Sequence, residues 1–313
     1  MTLRSNTSKV LCLNLLLFLA CSKGADTGDS GQYVDTPGNT IPSTPLSCPT
    51  SEAEEELGTL TSPELNEVSG VIHSPINDGV LWVHNDSGDD PRIFGITETG
   101  ELLVTLNFSG TERGDFEDIA MGELMYVGDV GDNRLVRESV FVFGVTEPDI
   151  VFDETPYVQD VVVESYELTY PNEPKNVEAM WVDPTNDDIY LLTKVVNMPA
   201  EVYLKAAPHL DGSTTELELV ASLDFSIAPL IGVATGADMS RNGTMIVVRA
   251  YIGSWVWLRE PGESVAEALE KPPCKVEVPI ERQSESIGFH SDGSGLFSIS
   301  EGEGEPVYFV PFD

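Results

Sequence analysis

A short unit recurs along this chain, and the recurrence constrains the fold more than any single motif. Ser69-Gly70-Val71 leads to His84-Asn85-Asp86-Ser87-Gly88-Asp89, and Phe116-Glu117-Asp118-Ile119-Ala120 leads to Gly128-Asp129-Val130-Gly131-Asp132-Asn133-Arg134. Glu178-Ala179-Met180 leads to Leu192-Thr193-Lys194, Ala237-Asp238-Met239 to Val248-Arg249-Ala250, and Glu285-Ser286-Ile287 to Ile299-Ser300-Glu301. Each copy is a small or acidic pair, an apolar strand, a turn, a second apolar strand and a polar stop. The starts at 69, 117, 178, 237 and 285 lie 48 to 61 residues apart. Several strands per unit at such a period predict an all-β propeller.

From residue 56 onward, alternating and β-branched runs are punctuated by Gly, Pro, Asn and Asp, which is a strand pattern. The best helical candidate, 263–269, falls in a connection. The fifth copy ends without an outer strand, and the run 56–61 has no blade of its own. Pairing that run with the C-terminal strand closes the ring and removes two open edges. Five four-stranded blades are therefore expected. Six stay open as an alternative, because 158–169 and 226–236 could hide further strands.

The N-terminus carries Arg4 and Lys9, then an 11-residue apolar run, Val10 to Ala20. That run is too short to cross a bilayer of about 30 Å as a helix and reads as an export signal over residues 1–20. Its end, Leu19-Ala20-Cys21-Ser22, resembles a bacterial lipoprotein signal, which implies an acylated Cys21; ordinary cleavage is the alternative. Residues 21–50 are dominated by Gly, Ser, Thr, Asp, Asn and Pro with few apolar side chains and read as a flexible tether, leaving 51–313 as one domain. Cys48 and Cys274 are an even pair in an exported context, and a disulfide is expected, with two buried thiols as the alternative. The setting is thus an exported lipoprotein of the cell envelope, at the outer membrane or cell surface, touching lipid only through its anchor.

Lys and Arg number 16 against 53 Asp and Glu, a formal charge of -37. That balance excludes a nucleic-acid partner and suits either simple solubility or cation binding. Because strands in a blade are antiparallel, the head of the first strand lies beside the exit of the second. The polar heads and stops should therefore gather on one rim.

Glu117, Asp118, Asp238, Asp86, Asp89, Asp129 and Asp132 are the candidate metal ligands, with calcium the expected ion because it takes six to eight oxygens. Neither acidic loop has EF-hand spacing, and an Asx turn is the alternative for Asp129 and Asp132. Glu178, Glu285, Glu301, Lys194, Arg249 and, more loosely, Arg134 are the candidate ligand-binding residues. A structural role, cementing blade to blade, is the weightier reading for Glu178 and Glu285. His84 and His290 read as strand residues, since no second His or Cys lies at zinc-like spacing. Trp82, Tyr126, Tyr190 and Phe297 share one strand position and read as core between blades. No nucleophile elbow, phosphate loop or metalloprotease helix motif is present.

At the strand heads and at Trp82-Val83-His84-Asn85-Asp86-Ser87-Gly88-Asp89 and Tyr126-Val127-Gly128-Asp129-Val130-Gly131-Asp132-Asn133-Arg134, the chain resembles the bacterial propellers of the SdiA-regulated family and, more distantly, phytase-like esterase propellers. The first resemblance implies an exported protein of unsettled activity, the second calcium-dependent phosphoester hydrolysis. The leading expectation is a monomeric, lipid-anchored propeller binding a small-molecule or protein ligand at an acidic, calcium-binding face. The alternative is a calcium-dependent hydrolase of phosphoesters or other esters, and a third class is a structural partner in an envelope complex.

Overall fold

The computed structural model describes residues 46–112, 114–150, 152, 156–196, 198–224 and 233–313. The signal, Cys21, most of the tether and residues 225–232 lie outside them. Strand β1 (Glu55–Thr59) opens the domain, and blade 1 follows as β2 (Val68–His73), β3 (Val80–Asn85), β4 (Arg92–Thr97) and β5 (Leu102–Phe108). Blade 2 begins with β6 (Phe116–Met121), β7 (Met125–Asp129) and β8 (Val140–Val145). Next, β9 (Tyr157–Val161) pairs parallel with β5 on the outer edge of blade 1, and β10 (Glu164–Thr169) completes blade 2. Blade 3 holds β11 (Val177–Val182), β12 (Ile189–Thr193) and β13 (Ala200–Lys205). Then β14 (Thr214–Glu216) joins β10 in blade 2, and β15 (Glu218–Leu223) completes blade 3.

Blade 4 is β16 (Ala234–Met239), β17 (Met245–Ala250), β18 (Ser254–Leu258) and β19 (Cys274–Val276), with α1 (Val265–Leu269) before its last strand. Blade 5 is β20 (Gly288–Phe289), β21 (Gly295–Ile299) and β22 (Pro306–Pro311), closed by β1 antiparallel to β22. The chain is thus a five-bladed β-propeller closed by its N-terminal strand, as the repeat predicts. One correction concerns the outer strands. Blades 1 and 2 have five strands instead of four, because the regions 157–169 and 214–223 are each divided between neighbouring blades, and the borrowed strand covers an otherwise bare edge.

The inner strands β2, β6, β11 and β16 are buried along nearly their whole length, so their sequences run apolar without clean alternation. Packing falls into five apolar clusters, each spanning one junction between consecutive blades. Trp82, Tyr126, Tyr190 and Phe297 each occupy the cluster on the same side of their own blade, as expected. Truncating such an aromatic to Ala costs about 3–5 kcal/mol in a well-packed core. The helix starts at Ser264, whose hydroxyl caps the Glu267 N–H while the Glu267 carboxylate returns to the Ser264 N–H, a capping box.

Cys48 and Cys274 form the expected disulfide, with Cα atoms 5.5 Å apart, and tie the segment before β1 to β19. Among the described residues no helix is long and apolar enough to cross a membrane.

Candidate metal centre

The β2–β3, β6–β7, β11–β12 and β16–β17 pairings share one irregularity. The register shifts between Val68 and Gly70, Phe116 and Asp118, Val177 and Ala179, and Ala234 and Gly236. The extra residue of each bulge leaves the ladder, and a bulge re-aims its side chain. Those residues are Ser69, Glu117, Glu178 and Thr235, with Glu285 at the matching place in blade 5. Opposite them run the exits of the second strands. Asp86, Lys194 and Glu301 donate backbone N–H groups to the carbonyls of Glu67, Asn176 and Gln283, each two residues before a head. Tyr251 follows β17 at the corresponding place.

Heads and exits meet in a dense acidic group. Oxygens of Asp86, Asp115 and Glu117 lie within 4.8 Å of one another, as do those of Asp86, Glu285 and Glu301, so Asp86 belongs to both triads. On one flank Glu178 accepts from Lys194 Nζ at 2.7 Å and from Asn176 Nδ2 at 3.0 Å. Lys194 Nζ also lies 3.0 Å from the Tyr251 hydroxyl, which donates to Glu285 at 3.1 Å. The packing leaves no slack at Gly131, where a Cβ would stand 2.0 Å from Glu117 Oε1 and 2.4 Å from Asp115 Oδ2.

Burial and crowding keep these acids from ionising easily. Burial, then the neighbouring charges of Glu285, Glu178 and Asp115, pushes Asp86 up to about 7 despite a hydrogen bond from the Ser87 N–H. Glu301 rises to about 8 through burial and the adjacent Glu285. Glu117 is held well above the usual range by burial and by Glu178, Asp86 and Asp115, with Lys194 opposing. Asp115 is raised by burial against the pull of Arg137. Glu178 is raised by burial in spite of Lys194.

Several expected members lie elsewhere. Asp118 is fully buried and accepts N–H groups from Ile119, Met180 and Ala237 at 2.9, 2.8 and 3.1 Å. Asp238 accepts from Met239 and Phe289, both at 2.7 Å. Burial lifts Asp238 to about 7, yet both of its oxygens are occupied by backbone. Asp129 is gripped by Arg137 through Nη1 and Nη2 at 2.7 and 2.9 Å, and Asp132 accepts the Arg137 backbone N–H at 2.7 Å. Both carboxylates thus brace the loop through Arg137, and none of these bonds is the Asx turn offered as the alternative. Asp89 clamps Arg92 and Asn85. Arg249 is 1% exposed and bonded to Glu281, Ser298 and the Pro279 carbonyl, so it anchors the 279–281 segment instead of facing a ligand. Arg134 is exposed on the neighbouring cleft.

A two-residue slip in the fourth repeat explains two of these corrections. Gly236 pairs with Arg249 as Ala179 pairs with Leu192, so Thr235 matches Glu178 and Tyr251 matches Lys194. Shifting a strand by two keeps every side chain on its face, and the hydrophobic pattern cannot register the error. Asp115, Asn176 and Tyr251 escaped sequence reasoning. For the first two the usable signal was a polar residue two before the head, as in Asp115-Phe116-Glu117 and Asn176-Val177-Glu178.

Beside the acid group opens a cleft of about 550 Å³, lined by Ser87, Asp115, Gly131, Asn133, Arg134 and Arg137 among others. No family model matches the sequence, and neither does any curated protein. Among solved structures the chain is similar to a gluconolactonase from Xanthomonas campestris, with 11% identity and a TM-score of 0.48, over 88% of this chain and 99% of that one. It is also similar to a nidogen–laminin complex, with 14% identity and a TM-score of 0.41, over 75% of this chain and 73% of that one. Both scores are too low to bear on family or chemistry.

Proposed function

We propose that this propeller binds a divalent cation, calcium, at its axial mouth and uses it to present a ligand-binding face outside the cell. The observation that carries the reading is the pair of carboxylate triads sharing Asp86, with ligand atoms within 4.8 Å. Like charges this close and this buried repel, and a dication turns that repulsion into attraction. An all-oxygen donor set suits a hard ion, and calcium accepts six to eight such ligands in irregular geometry. Asp86, Asp115, Glu117, Glu285 and Glu301 would hold it; Glu178 stays with Lys194. The Cys48–Cys274 disulfide supports an oxidising compartment. With the signal and Cys21, that fits a lipid-anchored envelope protein of the SdiA-regulated type.

Calorimetric titration with calcium tests the reading. Binding should saturate near one or two ions per chain and fall at least tenfold in Asp86→Asn and Glu117→Gln. Heat absent in the unaltered protein would overturn it.

The second reading, a calcium-dependent hydrolase of phosphoesters or other esters, rests on the adjoining cleft. It shares Asp115 with the acid group and presents Arg134 and Arg137, so an anionic substrate could lie beside the ion. A bound ion there would polarise the scissile group. Chelator-sensitive turnover across an ester and phosphoester panel, lost in Asp86→Asn, would favour this reading over pure binding.

A further inference from the structure

We propose a second metal site, of the zinc type, formed by His73, Glu98 and His290 at the end of the sheets opposite the acidic mouth. His73 closes β2 and Glu98 follows β4, both at the far end of blade 1 from Ser69 and Asp86. His290 follows β20 in blade 5. Their donor atoms lie within 4.8 Å of one another. His73 Nε2 is 3.0 Å from Glu98 Oε1, and the two imidazoles stack with centroids 4.2 Å apart on the ring of Phe297.

The wiring around the group is what a metal site needs. His290 Nδ1 lies 2.7 Å from Asp292 Oδ1, leaving its Nε2 for a metal. Ligating histidines typically give their other nitrogen to such an outer carboxylate, which fixes the ring's tautomer and orientation. Two imidazoles and a carboxylate are a zinc donor set with a fourth position left for water. A tetrahedral ion with bonds of ~2.0–2.1 Å needs its ligands about 3.3 Å apart. The His73–Glu98 pair already stands at 3.0 Å, and the widest pair must close by at most about 1.5 Å. Loading puts the proton of His73 on Nδ1 and gives up its weak 3.4 Å contact with the Ser291 N–H. Blade 5 contains both ends of the propeller, so an ion here clasps the junction at which the ring is completed.

The site is independent of the acidic mouth, and zinc titrated in excess calcium isolates it. Calorimetry should give one further zinc per chain and a raised thermal midpoint. Affinity should fall more than tenfold in His290→Gln and Glu98→Gln, about tenfold in Asp292→Asn, and stay unchanged in Asp86→Asn. Cobalt in place of zinc should show the intense visible bands of four-coordinate geometry, lost in His290→Gln. Asp292 is exposed and Glu98 half-exposed, so these two variants carry the test even if His290→Gln misfolds. A silent titration, or zinc binding that Glu98→Gln and Asp292→Asn leave intact, overturns the proposal.

Discussion

Asp118 Oδ2 accepts the Met180 N–H at 2.8 Å and the Ala237 N–H at 3.1 Å, so one carboxylate on blade 2 joins the inner strands of blades 3 and 4. With Ile119 bonded to the other oxygen, three N–H groups depend on it. Each buried donor left unpaired costs about 1–3 kcal/mol. Asp118→Ala should therefore lower stability by about 3–5 kcal/mol in denaturant melts. Asp118→Asn keeps the shape with a single acceptor oxygen and should cost about half that. Neither should change calcium affinity directly. Melts matching the unaltered protein would show that the latch is dispensable.

The acidic mouth predicts a pH trend. Asp86 moves from 3.8 to about 7 and Glu301 from 4.5 to about 8 on folding. The folded state thus holds protons that the unfolded chain has released. The stability these groups contribute is full below about pH 4 and is lost as pH rises through 7 and 8. His73, His84 and His209, all lowered chiefly by burial, act oppositely, but only up to about 6.5. Between about pH 6.5 and 8 the cation-free thermal midpoint should therefore fall, and saturating calcium should flatten the curve. A midpoint that holds steady in chelator across that interval would count against the crowding.

The architecture was legible because a period near 50 residues, a strand–turn–strand pattern and an unmatched N-terminal run all point the same way. The site was legible only in part. Glu117, Glu178, Glu285, Asp86 and Glu301 sit at repeat positions that topology alone brings together. Asp118 differs from Glu117 by one residue and faces the opposite way, into the backbone of other blades. No composition rule separates Asp129, held by Arg137 eight residues on, from Asp86, which is held by no arginine among the described residues. Likewise His290 had no visible partner, because His73 lies 217 positions earlier and meets it only when the ring closes.

Asp129 offers a test of that distinction. Its two-pronged grip on Arg137, and its acceptance of the Asp115 N–H at 2.8 Å, make it a loop strut. Breaking a buried ion pair from one side costs about 3–5 kcal/mol, and the partial exposure of Arg137 trims this to about 2. Asp129→Asn should lose that much stability while calcium affinity stays within about threefold. Loss of calcium binding with stability intact would instead return Asp129 to the metal shell.

Lys194 decides between a bound ion and an anchored anion. It stands 2.7 Å from Glu178 and 3.0 Å from the Tyr251 hydroxyl, and its charge reaches Glu117 and Glu285, two of the carboxylates that would hold calcium. If the mouth is a cation site, this ammonium partly neutralises it and competes with the ion. Lys194→Met should then tighten calcium roughly tenfold, about 1.4 kcal/mol of relieved repulsion. It should also lower the cation-free stability by about 2 kcal/mol, because buried Glu178 loses its cationic partner and keeps only Asn176. If Lys194 instead steadies an anionic substrate, the same variant should leave calcium affinity unchanged and abolish ester turnover. Titration calorimetry and a turnover assay on one preparation separate the two outcomes.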